Sequence, residues 1–414
     1  MQTYDKDGTG YRLYNRSDLI TSTSHAPLIL AKLRALGLQV RSVDQVAELA
    51  LTKLTLDNVE GAAHAVSAAV QEQKADPPAG RPRPHKPLDQ VLWGLRVLFA
   101  ARWAGWTPSL GKNRLVGSVT GVGEISHGGT DDPVPVPPER RPGPRTAGPG
   151  GGVRVGVLDT ALSPLPWLSD GWQAGWGSRI PAGTVRPYVA GHATFATGLI
   201  LSQAPNATVE LSRVLDENGS GDSWTVAREI VRVGNSGVDV LNLSLVCYTD
   251  DGEPPMALAA AVDRVDPGVV IVAAAGNHGA DRSPTERILP SWPAALDDVL
   301  AVGSTTSPDE GRPRLSAFTP NAPWVDVLAA GEDVVSTYPD RAEGKGGPQD
   351  FGGWAQWSGT SFSAALVSGA LAAAVQPGRV SARAALDGLW EAVGSGANGL
   401  IGETMAPYLP MTLL

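Results

Sequence analysis

Beyond Gly152 the chain alternates short apolar runs with helix-length windows, and this alternation narrows its fold more than any other feature. The apolar runs are Val153–Leu158, Thr208–Val214, Val238–Leu245, Gly268–Ala274 and Val299–Ser304. Helical windows lie between them at His192–Ser202, Ser223–Asn235 and Met256–Val265. Strands buried on both faces read as near-continuous hydrophobic runs, and intervening helices let successive strands run parallel. The expected class is α/β, with a mainly parallel sheet between helices. Ligands of such sheets bind beyond the carboxyl ends of the strands. Chemistry should therefore be sought just after each strand.

Three candidates meet that expectation. Asp159 follows the first strand in VGVLDTA, where backbone N–H groups can fix a carboxylate or the carboxylate can cap a helix. His192 opens a helix among the small residues Gly191, Ala193 and Thr194, which let other groups approach the imidazole. Ser361 begins the small-residue helix of WSGTSFSAALVSGALAAAV. There it faces unpaired N–H groups and the positive end of the helix dipole, with Thr360 and Ser358 as rival caps. Taken singly, each has a plain structural explanation.

Taken together they form an ordered set. Asp, His and Ser recur in the order that marks subtilisin among serine hydrolases. From residue 152 to about 395 the chain resembles the subtilisin-like (subtilase, S8) serine peptidases. VLDENGSGDSW at Val214–Trp224, VDVLNLSL at Val238–Leu245 and VIVAAAGNHG at Val270–Gly279 extend the likeness. The resemblance implies a three-layer fold and roles for each residue. Ser361 would attack a peptide carbonyl, His192 would carry the proton, and Asp159 would orient the imidazole. Asn277 would donate to the oxyanion. Gly219, Ser220 and Gly221 on one edge, and Leu243, Ser244 and Leu245 on the other, would hold an extended peptide by backbone pairing. Ala273, Ala275 and Gly276 would wall the pocket for the residue before the cut. Three positions depart from the family pattern, Ala161, Ala193 and Ala365, and all carry small side chains. The segment LILSQAPNATVELSRV lacks the insertion that helps the best-known members bind calcium, so no metal or other cofactor is expected.

The remainder is organised by proline and glycine, 34 and 49 of 414 residues. That is about a fifth, against an average near 12%. Asp76–Pro87 is one break, and Asp131–Gly152, with seven prolines and five glycines, is another. Such stretches have little to bury and read as extended linkers. The expected division is a small α+β domain at 1–75, a break and Trp-rich helical segment at 76–130, a linker at 131–152, and the peptidase-like domain at 153–414. Within the first, Asp18–Ser24, Gln39–Val43 and Ala50–Leu56 read as strands, and Ala26–Leu36 and Asn58–Gln73 as helices. This domain would be an intramolecular inhibitor or, alternatively, a docking module. Self-processing would fall between Arg145 and Gly148.

A net charge of −9 disfavours nucleic acid as partner. No apolar run is long enough for a membrane span. Cys247 is the one cysteine and cannot form an internal disulfide. With no basic-then-apolar leader at the N-terminus, a cytoplasmic protein is expected. The leading reading is a serine endopeptidase acting on peptides or proteins. The alternatives are an inactive subtilase-like scaffold that binds peptides, and a hydrolase of other esters or amides.

Overall fold

A computed structural model describes residues 4–5, 14–75, 84–118, 132–146, 151–175, 177–181, 183–249, 251–280, 284–306, 313–344, 346–392 and 406–410. The N-terminal part begins with β1 (Tyr14–Ser22), α1 (Ala26–Ala35), β2 (Val40–Val46), β3 (Leu51–Leu56) and α2 (Val59–Glu72). It continues with α3 (Pro87–Arg102) and β4 (Gly111–Ser118). The four strands pair antiparallel in the order β4-β1-β3-β2. Side chains alternate between the two faces of a strand, and here both faces are apolar. Leu19, Leu54 and Leu56 meet the three helices on the outer face, while Ile20, Leu51 and Val116 face the rest of the molecule.

This corrects the boundary expected at residue 75. The Trp-rich helix α3 packs against α2 so closely that a Cβ on Gly94 would lie 2.3 Å from Val66, and β4 completes the sheet. The unit therefore extends past 75 to Ser118, and a short strand at Tyr4–Asp5 pairs with Asn15 and Tyr14 of β1. Of the three tryptophans in this segment, Trp93 is half-buried, whereas Trp103 and Trp106 are exposed.

The larger unit is built on β5 (Arg154–Asp159), β6 (Trp172–Ala174), α4 (His192–Gln203), β7 (Thr208–Arg213), β8 (Ser220–Asp222) and α5 (Ser223–Gly234). β9 (Val240–Leu243), β10 (Leu245–Val246), α6 (Met256–Val262) and β11 (Val270–Ala274) follow. β12 (Val299–Thr305), β13 (Val327–Ala330), α7 (Thr360–Ala374) and α8 (Ala382–Ala392) complete it. Seven strands form one all-parallel sheet, β13-β12-β11-β9-β5-β7-β6. Alternate residues such as Val155, Val157, Val270 and Val272 bury against α4 and α7. Their neighbours Leu158, Leu241 and Ile271 bury against α5 and α6. The result is the expected three-layer α/β body. Small residues let α4 and α7 touch, since a Cβ on Gly369 would lie 2.7 Å from the Ile200 carbonyl.

The described part of the expected linker is bound to this body rather than free. Val134 and Pro135 pair with Gln356 and Ala355, and Val136 is buried. The Arg141 guanidinium donates to the carbonyls of Val136, Phe351 and Gly352. That of Arg145 donates to Trp167, Leu168, Ser169 and Pro205. Proline leaves a segment few donors of its own, but its carbonyls and arginines can still dock.

The two units share more than an apolar face. Trp224 of α5 donates its indole N–H to Asp44 of β2 at 2.7 Å. Asn113 of β4 is fully buried; its Oδ1 accepts from the Ser223 hydroxyl and the Trp224 N–H, and its NH2 donates to Asp18. A strand of one unit thus satisfies orphan donors at a helix N-terminus of the other. Truncating one partner of a buried hydrogen bond costs about 1–3 kcal/mol. Asn113→Ala should therefore lower the melting temperature of the whole chain by roughly 1–4 °C in scanning calorimetry. An unchanged transition would show that this contact carries no stability.

Candidate active site

Asp159 ends β5 and His192 starts α4, 33 residues later, yet their side chains meet completely buried. Nδ1 of His192 lies 2.8 and 2.7 Å from the two carboxylate oxygens of Asp159. The Thr160 N–H also donates to Asp159, at 2.6 Å. The Thr160 hydroxyl ties strand end to helix start, accepting from the Ala193 N–H and donating to the Ala190 carbonyl. Between carboxylate oxygens Nδ1 must carry the proton, so in the neutral ring Nε2 holds a lone pair. Nε2 is buried and finds no hydrogen-bond partner among the described residues.

Ser361 stands on the first turn of α7, fully buried. Its hydroxyl is turned to the Ser244 carbonyl at 3.4 Å, while the Ser244 hydroxyl donates to the Ser361 carbonyl at 2.9 Å. Asn242 supports that hydroxyl at 2.9 Å and in turn accepts from Ser368. The cap of α7 is Gly359, and neither rival cap serves. Ser358 instead accepts from the Asp333 N–H. Thr360 accepts from the Gly276 N–H and donates its hydroxyl to Oδ1 of Asn277, which also takes the Thr360 N–H. With its oxygen held there, the Asn277 carboxamide turns its NH2 end away from Thr360. Sequence reasoning missed the part Thr360 plays here, because a threonine beside a serine looks like a spare cap.

The two edges named from sequence flank the end of β4. Ser220, Gly221 and Asp222 pair antiparallel with Gly117, Val116 and Leu115, and the Ser118 N–H donates to the Gly219 carbonyl at 2.8 Å. On the other side Leu245 and Val246 pair with Ser118 and Gly117. Gly219 has φ +72, and a Cβ there would lie 2.4 Å from the Ser118 hydroxyl, so this edge needs glycine for the close approach. Leu243 and Ala273 point into the core instead of the cleft. Val246 and Asp222 are edge residues that the sequence reading did not name. Ala161, Ala193 and Ala365 all keep negative φ, so none of the three departures strains the backbone.

Residues 150–385 match the family described as Peptidase S8, the subtilase family. The chain belongs to the subtilase family. Subtilisin Savinase of Lederbergia lenta is 33% identical over 232 residues, 54% of this chain and 76% of that one. An alkaline protease of Alkalihalobacillus alcalophilus is also 33% identical, and there the chain spans only 54% of the relative's length. The major intracellular serine protease of Bacillus subtilis is 35% identical over 192 residues, 44% of this chain and 54% of that relative. Fervidolysin of Fervidobacterium pennivorans, a keratinolytic enzyme related to subtilisin, shares the fold. The TM-score is 0.61 at 18% identity, covering all of this chain and 64% of that one.

In this subtilase, α4 leads to β7 through residues 204–207 alone, closed by the Ala207 N–H on the Ala204 carbonyl. Among the described residues no group of three or more His, Cys, Asp or Glu side chains could hold a metal ion. A chelator should therefore move the melting temperature by less than about 2 °C, the equivalent of under about 1 kcal/mol for a domain of this size. A large drop in EDTA would place a structural cation in the chain.

Proposed function

We propose that this chain is a serine endopeptidase held in check by its own N-terminal unit. The observation that carries the proposal is the buried His192–Asp159 pair whose outer nitrogen has no hydrogen-bond partner among the described residues, in a cleft already threaded by β4. A peptide hydroxyl is a weak nucleophile until a base takes its proton. Rotation of Ser361 from the Ser244 carbonyl toward Nε2 would supply that base. Attack on a carbonyl of the bound strand forms the serine–carbon bond and pushes the carbonyl electrons onto oxygen. The Asn277 NH2 and the Ser361 N–H at the head of α7 would receive that charge. His192, now protonated and stabilised by Asp159, returns the proton to the departing amine and frees it. Water then repeats the sequence on the acyl-enzyme. The reaction needs no cofactor.

Backbone pairing on both sides is how a protease holds an extended substrate. β4 occupies that position, which supports inhibition from within. It also moves the expected processing site. Arg145 is fastened to four carbonyls and Val136 is buried. We therefore put the cut within the few residues that follow Ser118, which lie outside the described part, as residues 147–150 do. Substrates in trans would be peptides or unfolded proteins. One buried cysteine is compatible with work in a reducing cytoplasm.

Ser361→Ala should fold as wild type and lose about 10⁶ in kcat, the scale measured on a family member. Incubated side by side, only wild type should yield a new N-terminus, within the few residues after Ser118. A Ser361-independent cut, or turnover within tenfold of wild type in Ser361→Ala, would reject the assignment. Thr360→Val should lower kcat by about ten- to a hundredfold with KM little changed. It removes one of the two donors that hold Oδ1 of Asn277 and leaves the Thr360 N–H, whereas deletion of the oxyanion donor itself costs 10²–10³ in subtilisin. An unchanged kcat would dismiss Thr360 as a positioning residue.

A further inference from the structure

The N-terminal unit carries a second surface, on the side of its sheet away from α5 and α6. There α3 runs out into an unbroken exposed stretch, residues 101–107, from which Trp103 and Trp106 stand out at 40% exposure each. The turn that lifts them passes through Ala104 and Gly105, at φ +49 and +92, and is closed by the Gly105 N–H on the Ala100 carbonyl. The indoles are held in place. Trp103 stacks on Phe99 at 4.9 Å between centroids, and Trp106 meets Trp103 at 5.9 Å and His25 at 5.1 Å, edge to face. Neighbouring α1 is also unusual on its solvent side. Its exposed stripe is Leu28, Ala31, Arg34 and Ala35, where a surface helix is ordinarily polar.

Charge on this side has one sign. Residues 19–43 and 90–118, which include α1 and the end of α3, contain no Asp or Glu. Burial and the nearby charge of Arg102 lower the pKa of Lys32, and the Arg102 guanidinium lies 5.2 Å from the centre of the Trp103 ring. Residues 1–118 hold 15 Lys and Arg against 10 Asp and Glu, whereas the rest of the chain holds 18 against 32. The acidic balance of the molecule thus belongs to the larger unit, and a negatively charged surface would attract the smaller unit and turn the larger one away.

We propose that Trp103 and Trp106, with Arg102, Lys32 and Arg34, dock the N-terminal unit on an anionic lipid surface. An acidic protein segment would be gripped in a groove, but here the apolar groups form a projecting tip. Amphipathic indole rings settle at the headgroup level of a bilayer, and basic side chains beside them meet lipid phosphate. Among the described residues no helix is long and apolar enough to cross a membrane, so the contact lies in the interfacial plane. The proposal goes beyond the serine-peptidase reading and does not rest on it. With both in force, a cut after Ser118 separates the lipid-bound unit from a peptidase unit that the same surface repels.

The test is sedimentation of the full-length Ser361→Ala protein, in which no self-cleavage parts the units, with vesicles of phosphatidylcholine alone or mixed with phosphatidylglycerol. The mixed vesicles should bind at least about tenfold more tightly, because each basic residue near an anionic surface counts for roughly fivefold. Added salt should weaken that binding. Trp103→Ser with Trp106→Ser should weaken it by about tenfold or more, through the loss of interfacial apolar area. Lys32→Gln with Arg102→Gln should do so by a similar factor, whereas Arg379→Gln, at an exposed arginine of the larger unit, should leave it unchanged. Melting temperatures are measured on every variant, and the charge pair decides if the indole pair does not fold. No binding, equal binding to both vesicles, or binding that a folded pair leaves unchanged overturns the proposal. Capture by immobilised polyglutamate without binding to vesicles gives the surface to an acidic protein partner and also overturns it. None of these readouts uses catalysis, so such a failure leaves the serine-peptidase reading standing.

Discussion

Parallel pairing of β5, β9 and β11 brings the carboxyl ends of three strands to one rim, so Asp159, Ser244 and Asn277 arrive together although they are far apart in sequence. α4 and α7 pack on the same face of that sheet and begin at the same rim, bringing His192 and Ser361. The chemistry thus sits where strand ends and helix starts coincide, and the pattern of the core decides it. A substitution that shifts α7 by one residue would move Ser361 to another side of the helix without touching any cleft residue.

Short polar side chains turn that coarse placement into contact geometry. Thr160 binds the end of β5 to the start of α4, Thr360 binds Gly276 and Asn277 to α7, and Ser244 exchanges hydrogen bonds with Ser361. Each is fully buried. A buried hydroxyl without a partner is costly, and these have two partners each, which makes the site resist relaxation.

This division explains what the sequence discloses. Apolar runs reveal the parallel sheet because a strand covered on both faces can hardly be anything else. Asp159, His192, Asn277 and Ser361 are legible through their order and their small-residue surroundings. Thr360 is not, since the reach of its hydroxyl depends on Gly276 and Asn277, 84 and 83 residues away. β4 is hidden for a related reason. KNRLVGS alternates weakly, and it is a strand because β1 on one side and the edges at 220–222 and 245–246 receive it. The proline-rich breaks mislead at 131–152, because proline marks where a helix or strand cannot continue and says nothing about whether the segment docks. The arginines at 141 and 145 are the side chains that fasten it.

Asn113 has a consequence that reaches past stability. Five residues separate it from Ser118, and β4 is extended throughout. Its carboxamide cannot slide along the strand without abandoning Asp18 at one end and α5 at the other. A slip of one residue would also turn Val116 out of its apolar surroundings. The strand therefore behaves as a ruler with its zero mark at Asn113. Distance along the chain, counted in residues, decides which residues of β4 lie between the edges at 220–222 and 245–246, and the side chains in between need only fit.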